Sequence, residues 1–140
     1  MLLKIPLAQA GAGMAAWAGL VDYDLKQYRP VYFALQQLID KLGRYESITR
    51  IPFDDDGIRL YEFEDDGQKS WIAWYDPATV YLPGDNPPQA TLQFDFGTAS
   101  VVVQDLTINE GGSQSQTIQA ANGPVSILLG PSPVYITAGN

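Results

Sequence analysis

Between Pro30 and Gly43 the apolar residues recur every three or four positions, and beyond Glu46 they recur every two. The first period predicts a helix over 30–43, with Val31, Leu35, Leu38, Ile39 and Leu42 on one stripe. Gln36, Gln37, Asp40 and Lys41 fall mostly on the opposite face. Pro30 suits the first helical position, where a missing N–H costs nothing, and Gly43 suits the stop. A helix this short is marginal alone in water, so its stripe is expected to pack on something.

The second period predicts strands. "SITRIPF" (47–53) ends at Asp54-Asp55-Asp56-Gly57, a turn in which Gly57 can take positive φ. "IRLYEFE" (58–64) runs to a second turn at Asp65-Asp66-Gly67, and "KSWIAWY" (69–75) follows it. Ile72 and Trp74 share one face of that strand, read as the core face; Trp71, Ala73 and Tyr75 share the other. Further runs follow at "ATLQFDF" (90–96), "SVVVQDLTI" (100–108), "SQTIQA" (115–120), "PVSILLG" (124–130) and "PVYITA" (133–138). Ile58 and Leu60 differ in parity from Tyr61 and Phe63. The preferred explanation is a β-bulge near Leu60-Tyr61, the alternative a strand covered on both faces. The expected fold is mainly β: an antiparallel β-sandwich of about seven to nine strands with one N-terminal amphipathic helix packed on it. Ile72, Trp74, Val101, Val103, Ile127 and Leu129 are its expected inner face. Two regions are expected, 1–45 containing the helix and 46–140 forming the sandwich.

Composition narrows the chemistry. The 140 residues include 16 acidic and 8 basic side chains, a net charge of −8. That sign repels phosphate backbones and anionic bilayers, so neither nucleic acid nor membrane is an expected partner. Without histidine or cysteine the chain can build no Ser-His-Asp triad, His general base, thiolate nucleophile or His/Cys metal site. Any metal site would be all-oxygen; no metal and no cofactor are expected. "MLLKIPLAQA" is a poor leader, its apolar run broken by Lys4 and Pro6, and the sequence assigns no compartment.

The candidate sites are few. Placing Gly57 at the sixth position of a calcium loop puts Pro52 first and Phe63 twelfth, neither of them a side-chain oxygen ligand. Asp54-Asp55-Asp56-Gly57 therefore reads as a solvated turn. Glu62, Glu64, Asp65 and Asp66 sit on or beside one turn with nothing nearby to raise a pKa, so no catalytic residue is assigned. Ser113, Ser115 and Thr117 lack a base and read as loop or edge hydroxyls. Trp71 and Tyr75 could stack on sugar rings or pack on the helix, the packing role being preferred. Trp17 could be a sugar platform, a plug or part of an associating patch.

Several stretches resemble one known family. "YRPVYFALQQLIDKLGRYESITRI" (28–51) resembles the last helix of a (β/α)8-barrel glycoside hydrolase and its exit, and Arg29-Pro30-Val31-Tyr32-Phe33-Ala34-Leu35 is similar to the element that opens that helix. "GIRLYEFEDDGQKSWIAWYDP" (57–77) is similar to the second and third strands of the family's C-terminal β-sandwich. "VVVQDLTINEGG" and "GPVSILLGPSPVYI" resemble its closing strands, and "GMAAWAGLVDYDL" (13–25) the eighth barrel strand with its loop. The resemblance implies a glycosidase-like parent. Its two strand-end carboxylate motifs are not among these residues, and neither are the roughly 200 residues that a barrel needs. The expectation is a C-terminal fragment: a non-enzymatic accessory β-sandwich that supports a barrel, or alternatively a carbohydrate-binding module using exposed aromatics. The barrel of the parent enzyme, or a second copy through "AGAGMAAWAGL", is the expected partner, with carbohydrate a further candidate.

Overall fold

The structure, a computed structural model, describes residues 27–78, 84–120 and 123–139. Along them lie one helix and eight strands: α1 (Pro30–Leu42), β1 (Ser47–Ile51), β2 (Ile58–Asp65), β3 (Gln68–Tyr75), β4 (Ala90–Phe94), β5 (Ser100–Asp105), β6 (Ser115–Gln119), β7 (Val125–Leu129) and β8 (Val134–Ala138). Six strands form one sheet in the order β1-β2-β3-β8-β5-β6, and β4 pairs with β7 in a second. Every pairing is antiparallel. The chain thus forms the expected antiparallel β-sandwich.

Side chains from both sheets meet in one core. The large sheet contributes Ile58, Leu60, Trp71, Ala73, Val101, Val103 and Ile136, and the small sheet Leu92, Val125, Ile127 and Leu129, with Phe96 just beyond β4. Leu60, Leu92, Leu129, Ile136 and Val101 are fully enclosed. Each such aliphatic side chain stabilises the fold by about 1.5–3 kcal/mol relative to leaving it in water.

The β2–β3 hairpin corrects two expectations. Asp66 and Gly67 both take positive φ (48° and 73°), the conformation of a two-residue turn whose twist matches its strands. That turn sets Asp65 opposite Gln68, so Glu62 faces Trp71, Leu60 faces Ala73 and Ile58 faces Tyr75 without interruption. No bulge occurs at Leu60-Tyr61. Tyr61 and Phe63 lie on the other face of the sheet, where Phe63 is nonetheless buried. The strand is covered on both sides, which is why its parity looked inconsistent. For the same reason Trp71 and Ala73 point into the core shared by the two sheets, while Ile72 and Trp74 lie on the opposite face, where Ile72 is buried and Trp74 half-buried.

Gly57 does not take positive φ. A Cβ there would run into the ring of Tyr75, so close approach is what requires glycine. Asp55 Oδ1 accepts the Gly57 N–H at 2.8 Å, which spends this carboxylate on the turn.

The chain divides into two compact units, one holding α1 and Thr107–Ser113, the other the strands. In the first, Pro30 is the opening helical residue, the N-cap Arg29 is extended, and Gly43 closes the helix in right-handed conformation. The amide side chain of Gln37 is buried (8% exposed) and its Oε1 accepts the Thr107 N–H at 2.7 Å. The Thr107 N–H lies outside any strand ladder, and this side-chain acceptor satisfies it. The apolar stripe expected to be covered is largely open: Val31 is 50% and Ile39 59% exposed. Tyr28 and Tyr32 stack with centroids 4.1 Å apart, and Phe33 meets Tyr32 edge-on at 5.4 Å.

Candidate functional site

Trp71 enters the core from the middle of β3 and is 3% exposed. Its ring meets Phe96 edge-on at 5.0 Å and 74°. Enclosed in this way, it offers no face to a sugar. The indole N–H donates to Glu62 Oε2 at 3.0 Å, while Glu62 Oε1 accepts from Lys69 Nζ at 2.8 Å. The hydrogen bond and charge of Glu62 raise the Lys69 pKa above the usual lysine range. Both Glu62 oxygens are therefore occupied. This carboxylate acts as a clasp between β2 and β3, with a buried indole as one of its donors.

Tyr75 ends β3 half-buried, packed against the core and over Gly57. Its backbone N–H donates to Gly130 O at 2.8 Å, and the next residue's N–H returns to Gly57 O at 2.8 Å. Trp17, and the segments "AGAGMAAWAGL" and "GMAAWAGLVDYDL", lie outside the described residues.

Other polar contacts hold a loop, an ion pair and a turn. Arg59 Nη1 donates to Asp56 O, and Arg59 Nη2 lies 3.5 Å from Asp76 Oδ2. Asp95 Oδ1 accepts the Gly97 N–H at 2.9 Å in the turn after β4. Among the described residues no three acidic side chains converge in a way that could hold a metal ion.

One feature was missed from the sequence. Tyr61 and Trp74 stack at 5.6 Å and 11° on the outer face of the large sheet, both half-buried. Arg50 stands opposite Tyr61 and Arg59 opposite Trp74. The signal lay in the Asp66-Gly67 turn. A two-residue hairpin fixes register, and register puts Tyr61 and Trp74 on one face as diagonal neighbours. Two shallow depressions also occur. One, of about 190 Å³, is lined by Val103, Asp105, Gln114, Ser115 and Gln116. The other, of about 210 Å³, runs along α1 past Tyr32, Leu35, Gln36, Ile39 and Asp40.

Together these features describe a β-sandwich in which several polar groups hold turns and strand pairs. No protein-family model and no curated protein matches the chain. Among solved structures, the fold is similar to part of a GH30 endoxylanase from Clostridium papyrosolvens C71, with a TM-score of 0.51 and 16% identity. The similarity covers 88% of this chain and 30% of that one, so the chain spans under a third of the structure it matches. The fold is shared with a portion of a glycoside hydrolase.

Proposed function

We propose that this chain is the non-catalytic accessory β-sandwich of a glycoside-hydrolase-like protein, supporting a (β/α)8 barrel. The observation that carries the reading is the fold's correspondence to 30% of an endoxylanase chain. The open stripe of α1 supports it: Val31, Leu38 and Ile39 present apolar surface that a neighbouring barrel helix would cover. The closed core and the occupied Glu62 carboxylate support a structural role for the strands.

Two assays test this. The chain alone, incubated with xylan and arabinan, is expected to release no reducing ends above buffer. A glycosidase barrel produced without its own sandwich is expected to melt at a higher temperature when the chain is added. Turnover by the chain alone would overturn the reading.

A second reading, carbohydrate binding, is favoured by one observation, the half-buried Tyr61–Trp74 stack with its two flanking arginines. It requires heat on titration with xylo-oligosaccharides that is lost in Trp74→Ala. An absence of heat with the intact chain removes it.

A further inference from the structure

The two ends of the large sheet are finished differently. β1 carries Arg50 and is bounded by Glu46 and Pro52, the charges and proline that keep an edge from pairing. β6, at the other end, has neither. From Ser113 to Ala120 the sequence "SQSQTIQA" contains no charge and no proline, in a chain of net charge −8.

The hydrogen-bond phase shows which β6 groups are open. Asp105 N–H donates to Gln114 O and Ala120 N–H to Ala99 O, both at 2.9 Å. With the register Val103↔Gln116 and Val101↔Ile118, bonds to β5 come from Gln114, Gln116, Ile118 and Ala120. Ser115, Thr117 and Gln119 aim their N–H and C=O groups away from β5, and all three residues are exposed. β5 is the one strand paired with β6 among the described residues.

We propose that β6 is a homotypic pairing edge, at which two copies of the chain join β6 to β6, antiparallel, about a twofold axis through Thr117. In that register Ser115 meets the partner's Gln119, Thr117 meets the partner's Thr117, and Gln119 meets the partner's Ser115. All three are outward-facing positions, so each pair exchanges two backbone hydrogen bonds with no shift of phase. The side chains that meet are hydroxyls and amides, free of like-charge repulsion. A net charge of −8 resists self-association, and at this neutral edge two copies meet without like-charge repulsion. The interface is short, so the dimer is weak and concentration-dependent.

Sedimentation of the intact chain from ~10 µM to ~1 mM tests this, because short interfaces associate within that range. The wild-type chain is expected to shift from monomer to dimer. Thr117→Pro removes an N–H that β5 does not use, and edge strands tolerate proline there, so it should stay folded and weaken the dimer by at least ~tenfold. Thr117→Lys keeps that N–H, sets two ammonium groups face to face across the axis, and is expected to do the same; it decides the matter if the proline variant misfolds. In this cysteine-free chain Thr117→Cys is expected to form an intermolecular disulfide on oxidation, since the paired Cα atoms would lie ~5.5 Å apart. A wild-type chain that remains monomeric throughout overturns the proposal and leaves the edge to a strand of another protein. Dimerisation undiminished in Thr117→Lys also overturns it, by placing the interface elsewhere.

Discussion

Leu60 and Ile39 are both aliphatic side chains at the apolar phase of their elements, yet Leu60 is wholly enclosed and Ile39 is 59% exposed. Leu60 sits on a strand whose neighbours bring Ile51 and Ala73 to the same row, under a second sheet that supplies Leu92 and Ile127. Ile39 sits on a helix whose one buried side chain is an amide, Gln37. The strands cover the face that looks into the sandwich, while Leu128 and Ile48 on their other positions stand exposed. The helix uses its polar side for a backbone N–H and leaves its apolar side open. A periodic apolar stripe thus marks where a surface must be covered, without saying that the same chain covers it.

Substitutions can break or sharpen this contrast. The largest effect is expected from Leu60→Ala, which opens a cavity at a fully enclosed site; urea unfolding should show a loss of about 2–5 kcal/mol. Glu62→Ala removes the acceptor of both Trp71 and Lys69, leaving a buried indole N–H unpartnered, and should cost about 1–3 kcal/mol by the same measurement.

A smaller effect belongs to alkaline pH. Burial raises the Tyr135 pKa above its ordinary value near 10.0. The native state therefore holds the phenol proton after the unfolded chain has released it, and stability falls as pH rises from about 10. Lys69 acts in the same direction. Its raised pKa means that the contribution from Glu62 is present below the ordinary lysine value and is lost as pH climbs through the folded one. Melting temperatures measured across this range should decline less steeply in Tyr135→Phe than in the wild-type chain. The smallest effect is expected for Ile39→Lys, which should change the stability of the isolated chain by less than about 0.5 kcal/mol.

Much of the fold was legible because alternation and turn residues agree. The helix over 30–43 ends at Leu42, and all eight strand segments occur close to where the pattern set them. β5 stops at Asp105 rather than at Ile108, and from Thr107 onward the run belongs to a segment grouped with α1. Faces were harder than strands. In β2 and β3 both faces carry large apolar side chains, so parity alone cannot say which looks inward. Register through Asp66-Gly67 settles the relative phase, and the pairing of Leu60 with Ala73 beneath the second sheet settles the absolute one. The candidate site suffered most from this. Parity along β3 pairs Ile72 with Trp74 as the inward face and leaves Trp71 for sugar stacking; the hairpin register turns Trp71 into the core shared by the sheets. The pairing of Gln37 with Thr107 had no signal, since two residues so far apart in sequence share no local pattern.

Amide hydrogen exchange on the intact chain tests the contrast between strands and helix most directly. Backbone amides in the central ladder of β2, β3, β8 and β5 should exchange only through global unfolding, while those of α1 open locally and exchange orders of magnitude faster. Protection of the α1 amides equal to that of β3, in the chain by itself, would mean that the helix is already covered and would contradict the account.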